Sequence, residues 1–263
     1  MSLYLEYIKK IFQLKLTYRF NFIFSILTSM LWVYIQVNVW QALFLNQERV
    51  SGVSLDEMIS FVVLNLFING LTSTDIGQNL GESINNGEIA NSLIKPLNIK
   101  FYFIAEDFGD KLFNIIFSIV PTCLLAIFLW GFTLPTLSLN LLIFIISLIN
   151  AIIIMYSINY ILGLLAFWLE TSWYVSWYLR AFQSLFAGSL VPLWFYPDIL
   201  YRISRFLPFR LVSFDPINIY LERISVSESL NVLYMQIIWV FTLFIIEKAI
   251  WYQAHKKIII FGG

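Results

Sequence analysis

Of the 263 residues, 60% are hydrophobic and only 12% are charged, and the 16 basic residues balance the 16 acidic ones. Soluble domains have about 45–50% apolar and about 25% charged residues, so this composition excludes a water-soluble globule. The balanced charge, without blocks of like sign, gives no indication of nucleic-acid binding. We therefore expect a bilayer as solvent, crossed by helices of about 20 apolar residues.

The N-terminal segment predicts an amphipathic helix rather than a cleaved signal peptide, because charged side chains interrupt any apolar core. Leu3, Tyr7, Ile11 and Leu14 recur at helical spacing, with polar residues on another face. We expect residues 1–19 to form an interfacial helix along the membrane surface.

The remainder, residues 20–263, predicts an all-α membrane protein with six transmembrane helices. Apolar stretches long enough to cross a bilayer cover residues 20–45, 58–75, 108–130, 137–168, 173–194 and 230–251. Six crossings place both termini on one side of the membrane. Most lysines and arginines fall on that side, which predicts cytoplasmic termini, although several arginines between the fifth and sixth spans are exceptions.

Prolines concentrate between the fifth and sixth spans and exclude a continuous helix there. They are Pro192, Pro197, Pro208 and Pro216, four of the seven prolines in the chain. Apolar residues recur at helical spacing between them. This pattern predicts an extracellular re-entrant hairpin over about residues 192–216, with its arginines at the lipid head groups. An ordinary surface loop is the alternative.

The longest polar interruption, residues 81–111, follows the second span and faces the cytoplasm in this orientation, and its first part is residues 81–97. Ile84, Ile89 and Leu93 alternate with acidic and amide side chains, which predicts a short helix that ends before Pro96. Such a helix suits docking into a groove of a soluble partner. Loops between spans are, however, often amphipathic without any such role.

Polar side chains within the spans are candidates for a substrate route. Asn65, Asn69 and Thr72 recur at helical spacing in the second span, and Asn38 and Gln41 lie near the outer end of the first. In hydrocarbon such groups face protein or water. They therefore either line a route or form hydrogen bonds between neighbouring helices.

Glycines, prolines and apolar residues recur in two parts of the chain: Ile84, Gly87, Ile89, Leu93, Lys95, Pro96 and Leu97, then Gly188, Pro192, Leu193, Pro197, Leu207, Pro208, Phe209, Pro216 and Tyr220. In this pattern the chain resembles the type-2 ABC exporter permeases, more closely the bacterial subgroup often encoded as two related permeases beside one ATPase.

The resemblance implies that the segment after the second span is a coupling helix that contacts a separate ATPase. The residues expected to make this contact are Ile84, Gly87, Glu88, Ile89, Leu93, Lys95 and Pro96. It further implies a pair of permease subunits, identical or related, in the lipids of a bacterial inner membrane. Two ATPase subunits would bind ATP and Mg.

The sequence contains no Gly-Lys dipeptide and hence no phosphate-binding loop of the GxxxxGK[ST] kind. We expect this chain to bind no cofactor itself and to have no enzymatic activity. His255 is the only histidine and Cys123 the only cysteine, so we expect no metal site. The sequence then favours an exporter permease that moves a hydrophobic or amphipathic substrate, such as a lipid-like compound, drug or peptide, outward.

Three other functions are consistent with an apolar, multi-spanning chain. An ion-coupled secondary transporter would place acids deep in the bundle, where only Asp75 comes close. A lipid-modifying enzyme would need a catalytic cluster, but Glu106, Asp107 and Asp110 have no histidine nearby and are expected to begin the third span. The sequence does not exclude a non-transporting membrane scaffold.

Overall fold

The computed structural model of the chain describes residues 2–16, 19–45, 47–90, 98–135, 137–169 and 174–261. Its helices are α1 (Ser2–Leu16), α2 (Arg19–Phe44), α3 (Leu55–Thr72), α4 (Ile76–Asn85), α5 (Ile99–Asn114), α6 (Val120–Trp130), α7 (Leu139–Leu164), α8 (Tyr174–Phe186), α9 (Asp198–Arg205), α10 (Phe214–Tyr220) and α11 (Val226–Phe261). A two-residue strand pair, β1 (Arg49–Val50) and β2 (Val53–Ser54), forms an antiparallel hairpin between α2 and α3. A π-helical turn at Ile115–Ile119 joins α5 to α6. Turns of 3-10 helix lie at Leu165–Phe167, Leu193–Phe195 and Pro208–Leu211.

Five helical stretches within the described residues are long and apolar enough to cross a membrane. They are Ile23–Phe44, Leu55–Asn85, Ile99–Trp130, Leu139–Phe167 and Val226–Ala254. They confirm a helical, multi-pass membrane protein and coincide with the first, second, third, fourth and sixth predicted spans.

The fifth predicted span, residues 173–194, is not found as one long helix. Its helical part, α8, has 13 residues, which extend about 20 Å, less than the roughly 30 Å of a bilayer core. The helix stops because Gly188 has a left-handed φ of +70°, a conformation that favours glycine, and Pro192 follows four residues later.

The third predicted span begins earlier than expected. Its first helix, α5, starts at Ile99, where the Asn98 side chain accepts a hydrogen bond from the Phe101 backbone N–H at 3.3 Å. The expectation that Glu106, Asp107 and Asp110 begin the helix was therefore wrong. These acids lie inside a charged helix that other elements cover.

The π-helical turn between α5 and α6 follows from Pro121. Proline has no backbone N–H, and its ring clashes with the carbonyl four residues earlier, so an α-helical ladder cannot run through it unchanged. The helix widens over Ile115–Ile119, immediately before this proline, which is one of the recognised ways to accommodate such a break. The charged α5 thereby continues into α6, which carries no charged residue.

The N-terminal helix α1 packs alongside α5. The Tyr7 and Tyr102 hydroxyls are hydrogen-bonded at 2.8 Å, and Lys15 pairs with Asp110 at 2.5 Å. Burial and the bond to Tyr102 raise the pKa of the Tyr7 hydroxyl above its ordinary value. Gly109 allows this packing, because a Cβ there would lie 3.0 Å from the Ile8 carbonyl oxygen.

One residue of the predicted apolar face of α1 is not packed. Leu14 is 58% exposed, whereas Tyr7 and Ile11 are half-buried. The packed stripe runs along Tyr4, Tyr7, Ile8, Ile11 and Phe12, the spacing of a helix face. Residues Ser2–Leu16 are helical, the face that α1 packs against α5 differs from the predicted one, and the position of this helix at the membrane interface stays a prediction.

Long-range contacts define two ends of the bundle, which we call the strand end and the termini end. At the strand end, Arg223 donates hydrogen bonds to the Gly52 carbonyl and pairs with Glu57 at 3.0 Å. At the termini end, Lys100 pairs with Glu247 at 2.6 Å. The N-terminal ends of α1 and α5 and the C-terminal half of α11 lie together at this second end.

The proline-rich segment between α8 and α11 extends from the strand end into the middle of the bundle. The Ser189 carbonyl accepts a hydrogen bond from Asn65 at 2.6 Å, and the Leu211 carbonyl accepts one from Gln236 at 2.8 Å. Asn65 and Gln236 each lie about 15 Å along their helices from the strand end. Pro192, Pro208 and Pro216 are buried and Pro197 is exposed.

Glycines allow α4 to approach the C-terminal end of α7 closely. A Cβ on Gly163 would lie 2.7 Å from the Gly77 carbonyl oxygen and 2.9 Å from its Cα atom. Gly81, one turn further along α4, is also buried. Small residues at helix contacts let backbones touch in this way, so α4 is held directly against α7.

Candidate functional site

A polar cavity of about 560 Å³ lies inside this apolar bundle. Its walls come from α2, the junction of α3 and α4, α5, α7 and α8. Its polar and charged lining includes Ser25, Asn69, Asp75, Asp107, Lys111, Asn159, Arg180 and Gln183. Because water or a polar ligand is needed to solvate such groups within hydrocarbon, this cavity is the strongest candidate for a functional site.

Lys111 is the central cation of the cavity. Its side chain is only 8% exposed, and its ammonium lies 3.3 Å from the Asp107 carboxylate, one helical turn earlier on α5. It donates hydrogen bonds to the Tyr156 hydroxyl at 2.8 Å and to the Leu71 carbonyl at 3.1 Å. The Tyr156 hydroxyl in turn donates to Asp107. A buried charge is tolerated only with such partners.

A second ion pair lines the cavity between α8 and the α3–α4 junction. The Arg180 guanidinium lies 3.1 Å from the Asp75 carboxylate, and both side chains are largely exposed. The Asp75 backbone N–H donates to Asp107 at 3.2 Å. Asp75 therefore links the exposed pair to the buried pair around Lys111.

The predicted polar stripe on the second span forms a chain of amides that crosses between elements. Gln183 donates to Asn69 at 3.0 Å, Asn69 donates to Asn65 at 2.9 Å, and Asn65 donates to the Ser189 carbonyl at 2.6 Å. The Ser213 hydroxyl also donates to Asn65 at 2.7 Å. Asn65 thus bonds to neighbouring segments, and Asn69 does so while also lining the cavity.

The other predicted route residues lie away from the cavity lining. Thr72 is fully buried and its hydroxyl donates to the Ile68 carbonyl of its own helix at 2.9 Å. Asn38 is exposed and donates to the Tyr34 carbonyl at 2.7 Å, while Gln41 is half-buried. A route through these three residues stays a prediction.

Asn159 lines the cavity and has an unpaired, buried side-chain oxygen. Its side chain is 1% exposed, and its amide nitrogen donates to the Met155 carbonyl at 3.2 Å. Its side-chain oxygen has no hydrogen-bond partner among the described residues. This oxygen is also inaccessible to solvent, and leaving such a group unsatisfied costs about 1–3 kcal/mol.

The predicted coupling segment is described only as far as residue 90. Leu93, Lys95 and Pro96 lie outside the described residues. Ile84 is half-buried near the end of α4, and Gly87 turns the chain with a φ of +75°.

The two residues after this turn that are predicted to contact the ATPase differ in their exposure to solvent. Glu88 is exposed, whereas Ile89 is buried against Ile99 and Phe103. A surface cavity of about 410 Å³ beside the turn is lined by Glu82, Glu88 and Glu106. This part of the termini end therefore presents negative charge.

The sequence alone did not single out Lys111, Tyr156 or Gln183 as site residues. The spacing of Asp107 and Lys111, i and i+4 on one helix, is the local signal that predicts their pairing. Tyr156 and Gln183 have no local signal, since their partners are distant in sequence. Within the described ranges, no three His, Cys, Asp or Glu residues are grouped so as to hold a metal ion.

Comparison with known proteins bears on what such a cavity does. A family model described as ABC-2 family transporter protein matches residues 30–262 of the chain. The match covers every helix described above except α1 and the beginning of α2. No curated protein matches the chain in sequence.

Proposed function

Because the chain belongs to the ABC-2 transporter family, whose members are membrane subunits that associate with an ABC ATPase, we propose that it is the permease subunit of an exporter. In this proposal two ATPase subunits bind ATP and Mg and hydrolyse the ATP, and two permease subunits, identical or related, move an amphipathic substrate outward. This chain supplies the route and no catalytic group.

The polar cavity carries the proposal. It is bounded by four of the five long apolar stretches and by α8, and it combines cations, carboxylates and amides around one space. The exposed Arg180 guanidinium is a group that a polar part of a substrate can bind. The substrate's apolar part would remain among the surrounding spans, which favours an amphipathic compound over a small ion.

The position of α4 supports transmission of force to this cavity. Asp75 lies immediately before α4, and the predicted coupling segment follows it. Since α4 is short and touches α7 through Gly77, a displacement of the coupling segment would reach Asp75 over ten residues of rigid helix. The exposed Asp75–Arg180 pair can open at little cost, because such pairs contribute about 0–1 kcal/mol.

Six crossings of the membrane fit this function. In this proposal the fifth crossing consists of α8 and of the irregular segment that follows it, which we call the extension. The extension reaches Asn65 at Ser189, and the re-entrant hairpin over residues 192–216 begins just beyond it. Its deep contacts, such as Leu211 with Gln236, support a hairpin that enters the membrane from the strand end without crossing.

The proposed orientation places the termini end in the cytoplasm of a bacterium, with the chain in its inner membrane. The charged helix α5 and its partner α1 would then lie at the cytoplasmic interface. The two β-strands and the proline-rich hairpin would lie outside.

Cysteine labelling tests this orientation directly. Cys123 is the only cysteine, so Cys123→Ala gives a cysteine-free background into which Glu88→Cys and Ser51→Cys are introduced separately. A membrane-impermeant maleimide added to intact cells should label Cys at 51 and spare Cys at 88. The opposite labelling pattern would refute cytoplasmic termini.

Co-purification with the ATPase encoded beside this chain tests the function. We expect a stable complex in which Glu88→Lys lowers ATPase stimulation at least tenfold, whereas Asp56→Lys, at the strand end, leaves it unchanged. Both variants should retain the wild-type melting temperature. Transport by this chain alone, driven by an ion gradient, would disprove the exporter proposal and favour a secondary transporter.

A further inference from the structure

A second cavity, of about 460 Å³, lies at the strand end between the proline-rich segment and the first half of α11. It is separate from the polar cavity of the proposed route. Three arginines and four aromatic residues contribute to its walls: Arg205, Arg210, Arg223, Trp194, Tyr201, Phe214 and Trp239. These arginines lie between the fifth and sixth predicted spans, where they are exceptions to the excess of basic residues on the predicted cytoplasmic side.

Two of the three arginines already have carboxylate partners. Arg210 forms a two-pronged ion pair with Asp215, with N–O distances of 2.7 and 2.8 Å. Arg223 pairs with Glu57 at 3.0 Å and lies over the Trp194 ring. Their charges are therefore balanced, and these pairs hold the wall of the cavity in place.

Arg205 differs from both. Among the residues that the structure describes, its guanidinium makes no side-chain hydrogen bond and no ion pair, although it lines the cavity and is close enough to Asp215 for their charges to interact. The Glu228 carboxylate on the opposite wall is held by the Ser225 N–H and hydroxyl, both at 2.8 Å. Arg205 is therefore the one of these three guanidinium groups without a carboxylate at bonding distance, and it can bind an oxygen of a phosphate, while Glu228 keeps its negative charge on the opposite wall.

Part of the cavity wall is apolar, and some of its apolar side chains belong to α11. Leu211, Phe214 and Val232 are buried in its wall, and Met235 is 50% exposed. Beyond Met235, the outward face of α11 carries exposed apolar residues such as Ile238. A hydrocarbon chain leaving the cavity past Met235 would therefore lie against an apolar helix surface.

We propose that this cavity binds the head group of an anionic phospholipid. Its phosphate would be bound by Arg205, whose planar fork of N–H donors matches phosphate oxygens. The acyl chains would extend along α11, and the aromatic residues would lie at the level of the membrane interface. The apolar surface of α11 selects a lipid over a free anion, and placement in the outer leaflet depends on the orientation proposed above.

Lipid titration of the purified, delipidated protein in uncharged detergent tests this inference. Phosphatidylglycerol is the probe, and native mass spectrometry counts the bound molecules. We expect one tightly retained lipid, with an affinity that falls about tenfold in Arg205→Gln because a charge-assisted contact is lost. Arg202→Gln is the matched control, since Arg202 is an exposed arginine on the same helix α9 and does not line the cavity.

Three outcomes would overturn the inference. Equal losses in Arg205→Gln and Arg202→Gln would show a non-specific charge effect. Equal retention of phosphatidylcholine would remove the preference for an anionic lipid, and displacement of phosphatidylglycerol by millimolar inorganic phosphate would indicate a site for a free anion. Arg205→Lys, which keeps the charge but loses the fork, should retain an intermediate affinity.

Discussion

Replacing Lys111 with methionine tests whether the buried ionic cluster stabilises the bundle. The ammonium donates two hydrogen bonds, to Tyr156 and to the Leu71 carbonyl, besides pairing with Asp107. Hydrogen bonds of charged groups contribute about 1.5–3 kcal/mol each, and removing one partner of a buried ion pair costs about 3–5 kcal/mol. We therefore expect Lys111→Met to lower the free energy of unfolding by about 3–5 kcal/mol.

A double-mutant cycle isolates the interaction with Asp107. Asp107→Leu alone should be destabilising by a similar amount, because it leaves Lys111 buried without its carboxylate. The double variant Lys111→Met/Asp107→Leu removes both charges, so we expect it to be more stable than the sum of the single effects by about 2 kcal/mol or more.

Reversible unfolding in mixed micelles, followed by tryptophan fluorescence, supplies the free energies. Lys248→Met is the control, since Lys248 is exposed on α11, and it should change stability by less than about 0.5 kcal/mol. Additivity of the two single effects within about 0.5 kcal/mol would refute the coupling.

Two further predictions concern amides and glycines. Asn65→Ala should lower the free energy of unfolding by about 1–3 kcal/mol, because it leaves its buried hydrogen-bond partners unpaired. Asn38→Ala should have almost no effect, since Asn38 is exposed and its side chain bonds within its own helix. Equal changes in melting temperature for the two variants would contradict this prediction. Gly163→Ala should cost about 1–3 kcal/mol, because its new Cβ meets the Gly77 backbone. Gly70→Ala should cost less, since there the Cβ meets the side chain of Ile119 and no backbone atom. The reverse order of melting temperatures would refute the packing argument.

The long apolar helices could be predicted because hydrocarbon requires uninterrupted apolar sequence, and no partner is needed to recognise it. The fifth predicted span is not one long helix, because residues 173–194 are apolar in composition but include Gly188 and Pro192, which end the helix. The start of α5 was missed because its acids were taken for a boundary. Two of them are accommodated within the helix by ion pairs, Asp110 with Lys15 of α1 and Asp107 with Lys111.

The candidate site was predicted only on its α3 side. Asn65 and Asn69 could be recognised from their spacing on one helix, but their partners Ser189 and Gln183 come from a segment more than 100 residues away. Tyr156, in the middle of an apolar span, carries no local signal of its bond to Asp107. Pairings of this kind arise from the packing of helices and cannot be derived from one chain's periodicity.

The π-helical turn at Ile115–Ile119 sets which side chains of α6 reach lipid. A π turn closes its hydrogen bonds one residue further along than an α turn, and one residue rotates a helix by about 100°. Phe128, 85% exposed, and Ala126, fully buried, owe their directions to that extra residue. Deleting one residue from the turn would swing Phe128 around the helix axis and withdraw Ala126 from the core, although every side chain of α6 would be unchanged.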